Sequence, residues 1–308
     1  MKYIHPLRCY NRVKRFGKTL HDFYWYYLLP DKLYLKIKFR KDYHRKLNLK
    51  NPQSYNEKLQ WLKLNDRNPK YHLLVDKYLA KGVLKDVVGE SRIIPTIGGP
   101  WKSAKEIEWD KLPQRFVLKC NHDSASVVVC KDKSRLDIPM VCEKLDRCLK
   151  IDYYRYENRQ WAYKGIDRCI FAEQYIQDDS GDLPDFKFHC FNGKPKCVLV
   201  CVRRFTKDGP YMNVYDMKWD KLPYEPGYKN IPEGFPKPDT FEEMRKLAEK
   251  VALYIGNYYE RIDFYSVSGK VYFGEVTFYP GGGSEQLRPK EWDYILGSWI
   301  HLPCDGNQ

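Results

Sequence analysis

The stretch from Tyr259 to Glu285 constrains the fold of this 308-residue chain more than any other segment. Apolar and polar side chains alternate on both sides of Ser268-Gly269, a dipeptide that supplies the positive φ of a tight hairpin turn. Because side chains in a strand alternate between two faces, residues two apart on one strand point to the same side. We therefore predict a β-hairpin with four polar side chains on one face. These are Arg261, Asp263, Glu275 and Thr277.

Two carboxylates on an inward face cost free energy unless a cation compensates them. Their hard oxygen atoms suit Mg²⁺ that holds the phosphates of a nucleotide. The alternative is a solvated hairpin face with a surface ion pair. The apolar flanking residues and the glycines of Pro280–Gly283, which let backbone approach a ligand closely, favour a binding site.

The composition is that of a globular protein of two lobes. With 43% hydrophobic residues the chain can bury a large core. We expect reduced, cytosolic thiols, because the ten cysteines form no Cys-x-x-Cys pair and no apolar signal segment precedes them. No apolar run reaches the length of a transmembrane helix. We divide the chain into a basic aromatic N-terminal segment, residues 1–50, an N-terminal part with the first lobe, residues 51–172, and a second lobe with the metal site, residues 173–308.

The net charge of +14 is concentrated in residues 1–50, which carry +11. The same segment contains the aromatic block His21–Leu29. Such aromatic side chains settle at a bilayer interface, while Lys and Arg are attracted to anionic headgroups. An anionic membrane surface is therefore the favoured partner, ahead of a plain basic helix pair that packs on the fold. Nucleic acid is disfavoured, because no nucleic-acid-binding module is present and the aromatics are clustered rather than interleaved with basic residues.

Two helices are predicted before the first sheet. Ser54-Tyr-Asn-Glu57 has the pattern of a capping box, which predicts a helix to about Leu64. A second helix is predicted over Pro69–Gly82, with Asp76-Lys77 as a solvated pair. Gly98-Gly99-Pro100 indicates a loop.

A loop of small polar residues separates two β-rich runs, Arg115–Cys120 and Val127–Cys130. This loop, Asn121–Ser126, is interpreted as a flap whose backbone amides and hydroxyls bind phosphate, and Lys119 adds a positive charge at the strand end. The two hydroxyls are those of Ser124 and Ser126.

Two further segments complete the candidate cleft. Arg168–Ile176 is predicted to be a strand in which Glu173 interrupts an apolar line and which leads from one lobe to the other. A second hairpin is predicted around Asn192-Gly193, the strongest short hairpin signal. On its first strand Lys187 and His189 share one face, so that face looks into a cleft or into solvent.

The order of these residues resembles the ATP-grasp superfamily over about residues 70 to 290. The phrases NPQSYNEKLQWLKL, VLKCNHDS, DFKFHCFNGKP and RIDFYSVSGKVYFGEVTFYPGGG resemble one subgroup, the TupA-like ATP-grasp proteins of surface-polysaccharide gene clusters. The resemblance implies an α+β fold in which two α+β lobes with antiparallel sheets clasp a nucleotide. It also implies ATP and Mg²⁺ as cofactors.

The resemblance further implies roles for individual residues. Lys119 and Lys187 would contact the α- and β-phosphates, Glu173 with the backbone of Gln174, Tyr175 and Ile176 would bind adenine, and Asp185 would reach the ribose. Asp263 and Glu275 would bind Mg²⁺ with Thr277, where the superfamily usually has Asn. The implied catalytic set is Arg261, Arg203 and Lys187. The implied acceptor site is Gly281, Gly282, Gly283, Ser284 and Arg288.

The leading functional hypothesis is an ATP-dependent ligase that activates a carboxylate as an acyl phosphate and joins it to an amine. The resemblance implies a uronic acid of a capsule or O-antigen precursor, nucleotide- or lipid-linked, as the carboxylate. One alternative is a glycosyltransferase that uses a nucleotide sugar, although the chain contains no Asp-x-Asp motif. Another is a non-catalytic scaffold, which requires the carboxylates to be solvated. We expect a cytoplasmic protein, peripheral at the inner face of the bacterial cytoplasmic membrane.

Overall fold

Two antiparallel sheets organise the part of the chain that the structure describes. The predicted hairpins lie within this part, whereas the first 23 residues of the basic segment lie outside it. The structure is a computed structural model, and it describes residues 24–303 without 125, 178–182, 205 and 207.

The smaller sheet carries the two predicted β-rich runs. Its strands are Thr96–Trp101 (β1), Phe116–Cys120 (β2), Val128–Cys130 (β3) and Ile170–Gln174 (β4). Their spatial order is β1-β4-β2-β3, and all neighbouring pairs are antiparallel. Gly98-Gly99-Pro100 is therefore part of an edge strand rather than a loop, and shifts of register on either side of Gly98 accommodate it in the sheet.

The larger sheet carries both predicted hairpins. Its strands are Asp185–Phe191 (β5), Lys194–Val202 (β6), Tyr211–Asp216 (β7), Tyr259–Val267 (β8) and Lys270–Thr277 (β9). Their order is β7-β6-β5-β8-β9, again antiparallel. The turn residues Ser268 and Gly269 have φ of +48° and +74°, and Asn192 and Gly193 have +48° and +81°, so both predicted hairpin turns are confirmed.

Helices pack on both sheets, and the predicted capping box is confirmed. Ser54 Oγ accepts from the Glu57 amide (3.3 Å), and the Glu57 carboxylate accepts from the Ser54 amide (3.1 Å). The helices are Asp31–Tyr43 (α1), Tyr55–Asn65 (α2), Lys70–Val75 (α3), Leu79–Val88 (α4), Ile138–Leu149 (α5), Tyr153–Tyr156 (α6), Phe241–Ile255 (α7) and Glu291–Ser298 (α8).

The single helix predicted over Pro69–Gly82 is wrong. The chain forms α3 and α4 with a break at Asp76, whose carboxylate accepts from the amides of Tyr78 and Leu79 (2.9 and 3.0 Å). A side chain that bonds to amides in this way offers the backbone an alternative to the helical ladder. Helix α4 then continues past Gly82 and ends before Gly89, which has a φ of +91°.

Each sheet has its own hydrophobic core. Helix α5 packs Val141 and Leu145 on the small sheet, and α7 packs on the large sheet in a core that also includes residues of α2, α3 and α4. The predicted α+β fold of two lobes with antiparallel sheets is confirmed. The predicted lobe boundary between residues 172 and 173 falls inside β4, because Glu173 and Gln174 still pair with β2. Helices α2, α3 and α4, which the prediction grouped with the first lobe, contribute to the core of the large sheet.

The basic helix α1 packs on the rest of the fold. Its side chains Tyr34, Leu35 and Phe39 are buried. The hydroxyl of Tyr154 donates to Asp31 (2.6 Å), and α1 is thereby joined to the short helix α6. No helix among the described residues combines the length and the apolar character needed to cross a membrane.

Candidate active site

The predicted polar face of the β8–β9 hairpin forms one connected cluster. Asp263 lies directly opposite Glu275, and Arg261 lies opposite Thr277. The Arg261 guanidinium donates to both carboxylate oxygens of Asp263 (2.7 Å each), to Glu275 Oε1 (3.2 Å) and to Thr277 Oγ1 (3.1 Å). Because Asp263 is almost fully buried, this is not the solvated face of the alternative interpretation.

The neighbouring strand β5 extends the cluster. Lys187, opposite Asp263 in the register, donates to Asp263 Oδ2 and to Asp185 Oδ2, each at 2.5 Å. Arg204 also donates to Asp185 (2.8 Å). The Asp185 carboxylate is buried between these two cations, so its predicted contact with a ribose requires it to rearrange.

A second cluster lies on the small sheet. Glu173 on β4 is buried and forms ion pairs with Lys119 on β2 and with Lys81 on α4 (2.6 Å). Burial alone would raise the pKa of Glu173, but Lys119 and then Lys81 hold it below its usual range. Glu173 is therefore an ionised acid that orients two lysines, and its two carboxylate oxygens are already occupied.

Lys77 connects the two lobes at the site. Its ammonium group donates to the carbonyl of Asp123, in the loop after β2, at 2.6 Å and lies 3.2 Å from Glu275 Oε2 on the large sheet. The interpretation of Asp76-Lys77 as a solvated pair is wrong, because Asp76 is buried and accepts from Asn121 Nδ2 (2.6 Å). The same loop between α3 and α4 thus fixes the position of the predicted flap and reaches Glu275 of the hairpin cluster.

The charged groups of the two sheets interact electrostatically with one another. Burial alone would raise the pKa of Glu275, but Lys77, Arg261 and Lys187 hold it well below its usual range. Burial raises the pKa of Tyr265 on β8, and Lys119 on the small sheet is one of the cations that oppose this shift. Lys119 of the small sheet therefore acts electrostatically on a residue of the large sheet.

The donor set fits Mg²⁺ bound together with phosphate. Asp263 and Glu275 present four carboxylate oxygens on one face, and each carboxylate now contacts cationic nitrogens, which shows that positive charge is favourable there. Among the described residues, no group of three or more His, Cys, Asp or Glu side chains is arranged to hold a metal by itself. A pair of carboxylates is nevertheless sufficient for Mg²⁺ when phosphate oxygens and water complete its octahedron.

The hydroxyls predicted for the phosphate flap are engaged elsewhere. Ser126 is buried, and its Oγ donates to Asp123 Oδ1 (2.5 Å) and accepts from the Cys120 amide (2.8 Å). The hydroxyl of Ser124 is exposed and lies 3.0 Å from the Tyr153 hydroxyl. Ser126 therefore stabilises the loop rather than facing a phosphate, because its short side chain turns back into the loop.

The segment predicted to bind adenine begins at the end of β4. The Gln174 amide donates to the carbonyl of Pro95 (2.9 Å), so it serves the sheet and is not available to a base. Tyr175 and Ile176 follow the strand and are half-buried on the path to the large lobe. The assignment of these two residues to adenine stays a prediction.

Arg204, rather than the predicted Arg203, faces the acid cluster. Strand β6 ends at Val202, and Arg203 has a φ of +54°, which turns its side chain away. Arg203 lies 2.9 Å from Glu233 and is about half exposed. The alternation of side chains along β6 could not distinguish Arg203 from Arg204, because the alternation stops where the strand ends.

The glycine turn predicted as the acceptor site has three consecutive residues in the left-handed region. Gly281, Gly282 and Gly283 have φ of +56°, +64° and +66°. A Cβ at Gly282 would lie 2.7 Å from Asn158 Nδ2, and one at Gly283 would lie 2.6 Å from Gln60 Nε2. Both the conformation and the close approach therefore require glycine.

One face of α2 holds this turn in place. Asn56 Oδ1 accepts from the Glu285 amide (3.1 Å), Gln60 Nε2 donates to the Gly283 carbonyl (2.5 Å), and Lys63 Nζ donates to the Gly282 carbonyl (2.5 Å). The three side chains lie at i, i+4 and i+7 and are buried. The sequence prediction missed them, because polar residues at helical spacing usually form the solvated face of a helix.

The two remaining predicted acceptor residues differ in position. Ser284 is half-buried at the end of the turn, and its amide donates to the carbonyl of Gly281 (3.2 Å). Arg288 is exposed, and its backbone pairs with Glu225, so it lines a groove with Tyr224 and Asn230. Because Ser284 belongs to the turn, the position of Ser284 agrees with a contact to the acceptor more directly than the position of Arg288 does.

The protein has two lobes, each built on an antiparallel sheet. Lysines lie on the small sheet, and a cluster of carboxylates with a guanidinium lies on the large one. This combination is that of a nucleotide-binding protein of the ATP-grasp class. The model of the TupA-like ATP-grasp family matches residues 57–301. The chain therefore belongs to this family, and the resemblance seen in the sequence is confirmed. No curated protein matches the chain.

Solved structures of ATP-grasp ligases resemble the chain at low identity. D-alanine–D-alanine ligase from Bacillus anthracis with ATP is 20% identical, with a TM-score of 0.40 over 68% of this chain and 56% of that one. L-amino acid ligase from Bacillus licheniformis is 14% identical, with a TM-score of 0.44 over 83% of this chain and 57% of that one. This chain thus spans less than two thirds of either structure.

Proposed function

We propose that the protein is an ATP-dependent, ADP-forming ligase that activates a carboxylate as an acyl phosphate and joins it to an amine. The observation that supports this proposal most strongly is the ion-pair cluster of buried Asp263 with half-buried Glu275, Arg261 and Lys187 on the large sheet, together with the Lys119–Glu173 pair of the small sheet. Family membership supports the use of ATP.

The lysines supply positive charge to the nucleotide. Lys119 and Lys187 are both raised in pKa, since burial lowers each value but Glu173 raises that of Lys119, and Asp185 and Asp263 raise that of Lys187. Both therefore stay protonated at neutral pH. We assign them to the α- and β-phosphates, with adenine beside Tyr175 and Ile176. There they stabilise the negative charge that accumulates on departing ADP.

Asp263 and Glu275, with the Thr277 hydroxyl, would hold Mg²⁺. When bound there, Mg²⁺ would supply positive charge that offsets the negative charge of the phosphates. We assign Arg261, which contacts all three residues, to orienting the γ-phosphoryl group toward the carboxylate oxygen that receives it. Closure of the two lobes would exclude the water that otherwise hydrolyses an acyl phosphate.

The glycine turn supplies the acceptor site in this proposal. Its backbone amides and the Ser284 hydroxyl are hydrogen-bond donors suited to a polar substrate. We assign the carboxylate to a uronic acid of a capsule or O-antigen precursor, nucleotide- or lipid-linked. This assignment rests on the sequence resemblance to proteins of surface-polysaccharide gene clusters.

An isotope experiment tests the reaction. D-glucuronate labelled with ¹⁸O in its carboxylate is incubated with the protein, ATP, Mg²⁺ and hydroxylamine. We expect ADP and phosphate that carries one ¹⁸O atom, because an acyl phosphate passes the bridging oxygen to phosphate when the amine attacks. Unlabelled phosphate, AMP with pyrophosphate, or product made from a UDP-sugar without ATP would contradict the ligase and, in the last case, support a glycosyltransferase.

We also propose that the exposed face of α1 binds an anionic membrane surface, at the cytoplasmic face of the bacterial membrane. Two aliphatic side chains on this face, Leu33 and Ile37, are 46% and 41% exposed. The acids of α1 lie elsewhere and are paired, Asp31 with Tyr154 and Asp42 with Lys38. The cations of the face are Lys32, Lys36, Arg40 and Lys41.

Vesicle sedimentation tests this surface. Each lysine near an anionic surface contributes about 1 kcal/mol, so reversing Lys32 and Lys36 to Glu is expected to weaken binding to phosphatidylserine vesicles at least about tenfold. The same reversal at Lys194 and Lys196, both exposed on β6, is the control and should have little effect. Binding should also weaken as salt rises. Equal binding to neutral phosphatidylcholine vesicles would contradict an electrostatic contribution to membrane binding.

A further inference from the structure

Glu285 differs from the other acids at the site in its surroundings. The carboxylates of the two clusters each contact a lysine or arginine nitrogen within 3.2 Å. These are Glu173, Asp185, Asp263 and Glu275. Within the described part of the chain, neither a cation nor a hydrogen-bond donor contacts the Glu285 carboxylate, although Arg261 is near enough to act on it. The carboxylate is therefore available to a positively charged ligand.

The backbone holds Glu285 at the end of the glycine turn. Its amide donates to Asn56 Oδ1, and its carbonyl accepts from Asn56 Nδ2 (3.1 Å) and from the Tyr43 hydroxyl (2.9 Å). Its side chain folds back over Gly281, where an added Cβ would lie 2.5 Å from Cγ and 3.6 Å from Oε1 of Glu285. The missing side chain at Gly281 thus makes room for this carboxyl group beside the acceptor site.

Two uncharged hydroxyl groups, those of Tyr55 and Tyr259, lie near enough to act on this acid electrostatically. The Tyr55 hydroxyl donates to the Tyr259 hydroxyl (2.8 Å), and the latter lies 2.8 Å from His189 Nδ1. Burial lowers the pKa of His189 to about 3, with a further contribution from Arg261, so this imidazole is neutral. Neutral hydroxyl groups near this carboxylate suit an ammonium group better than an anion.

We propose that Glu285 binds the ammonium group of the amine acceptor and removes its proton before the amine attacks. The inference rests on the ligase function proposed above. The carboxylate takes one proton from R–NH₃⁺, and the nitrogen lone pair then forms a bond to the carbonyl carbon of the acyl phosphate. The carbon–oxygen bond to phosphate breaks, phosphate leaves with the electron pair, and it accepts the second nitrogen proton. The product is an amide with hydrogen phosphate.

The titration of Glu285 is consistent with this role. Burial raises its pKa to about 7 and Arg261 opposes the shift. A general base works best with a pKa near the operating pH. The base must be ionised, so amide formation is expected to rise with pH through about 7. The titratable groups that face the carboxyl group are Tyr43, Tyr55, Tyr224, Tyr259, Cys197 and Arg261.

Two amines distinguish a base from a structural acid. Glycine is an ammonium ion at neutral pH and needs a base, whereas hydroxylamine is already unprotonated. With D-glucuronate, ATP and Mg²⁺, we expect Glu285→Gln to lower amide formation from glycine on the order of 10²-fold and hydroxamate formation much less. Glu285→Asp, which keeps an acid, should restore part of the glycine rate. Glu291→Gln, at an exposed position in the first turn of α8, is the matched control.

The outcomes separate the two proposals. Formation of hydroxamate and ADP by the parent protein tests the ligase function alone. Given that activity, an equal loss with both amines in Glu285→Gln, or an unchanged pH profile of the glycine reaction, would overturn the role of Glu285 and leave the ligase function standing. A selective loss with glycine, together with loss of the pH dependence near 7, supports it.

Discussion

Replacing Glu275 by glutamine is expected to leave a folded protein that has lost almost all turnover. The carboxylate is one of two that would bind Mg²⁺, and a bound metal supplies several kcal/mol of transition-state stabilisation. A loss of that size lowers the rate by about 10²- to 10³-fold. The fold should survive, because Lys77 keeps its bond to the Asp123 carbonyl and Arg261 keeps Asp263 when Glu275 loses its charge.

The measurement is ADP release at saturating ATP and Mg²⁺, with thermal unfolding as the check on the fold. Glu108→Gln, at a position of the small lobe where the side chain is 54% exposed, is the control for loss of a carboxylate. Normal turnover by Glu275→Gln would show that the hairpin acids form only a structural ion-pair network.

Replacing Asp263 by asparagine is expected to destabilise the protein strongly, in contrast to Glu275→Gln. Asp263 is 1% exposed, and both of its oxygens bind cations. Its loss leaves Lys187 paired with Asp185 and Arg261 paired with Glu275, so the positive charge of the site is only partly compensated. Breaking a buried pair in this way costs about 3 to 5 kcal/mol. Chemical denaturation measures the free energy of unfolding, and Asp86→Asn, on the exposed side of α4, is the control.

A double-mutant cycle isolates the pair. Adding Lys187→Met to Asp263→Asn removes one of the cations that lost Asp263 as a partner. The double variant should therefore recover part of the lost stability. If the effects of the two substitutions add, the contact of 2.5 Å between Lys187 and Asp263 does not couple them energetically, and the electrostatic account of the cluster is wrong.

The large-lobe half of the site could be predicted from local patterns. Alternation of side chains and a turn dipeptide determine which residues of a hairpin share a face, and the register of Asp263 with Glu275 follows from them. The strand face that Lys187 occupies follows from the same kind of pattern, because Lys187 lies on the first strand of a hairpin with an Asn-Gly turn, whereas its role at the site comes from the family resemblance. These signals are short-range, and the sequence contains them completely.

The helical half of the site could not be predicted from those patterns. Lys77 and Lys81 reach Glu275 and Glu173 from elements distant in sequence, and the break that positions them depends on Asp76 turning its carboxylate onto two amides. The only available signal was that Asp76 precedes Tyr78 and Leu79 at the spacing of an N-terminal helix cap.

The glycine turn shows the same limit. Lys63 is 1% exposed and donates to three oxygens, of Gln60, Asn158 and Gly282. Sequence periodicity assigns such a lysine to the solvated face, because the chain segment that covers it lies about 200 residues away.

Thermal unfolding with candidate nucleotides tests the central claim, an ATP site between the lobes, most directly. A ligand that binds only the native state must raise the melting temperature. The parent protein, Lys119→Ala and the control Lys111→Ala, at a lysine 76% exposed in the small lobe, are each heated with Mg²⁺ and ATP, UDP-glucose or neither.

We expect ATP, and not UDP-glucose, to raise the melting temperature of the parent and of Lys111→Ala. In Lys119→Ala the loss of a phosphate-binding cation, about 2 to 4 kcal/mol, should weaken ATP binding by about 30- to 1,000-fold and remove most of the shift. An equal ATP shift in Lys119→Ala, or a shift produced by UDP-glucose and not by ATP, would contradict the account.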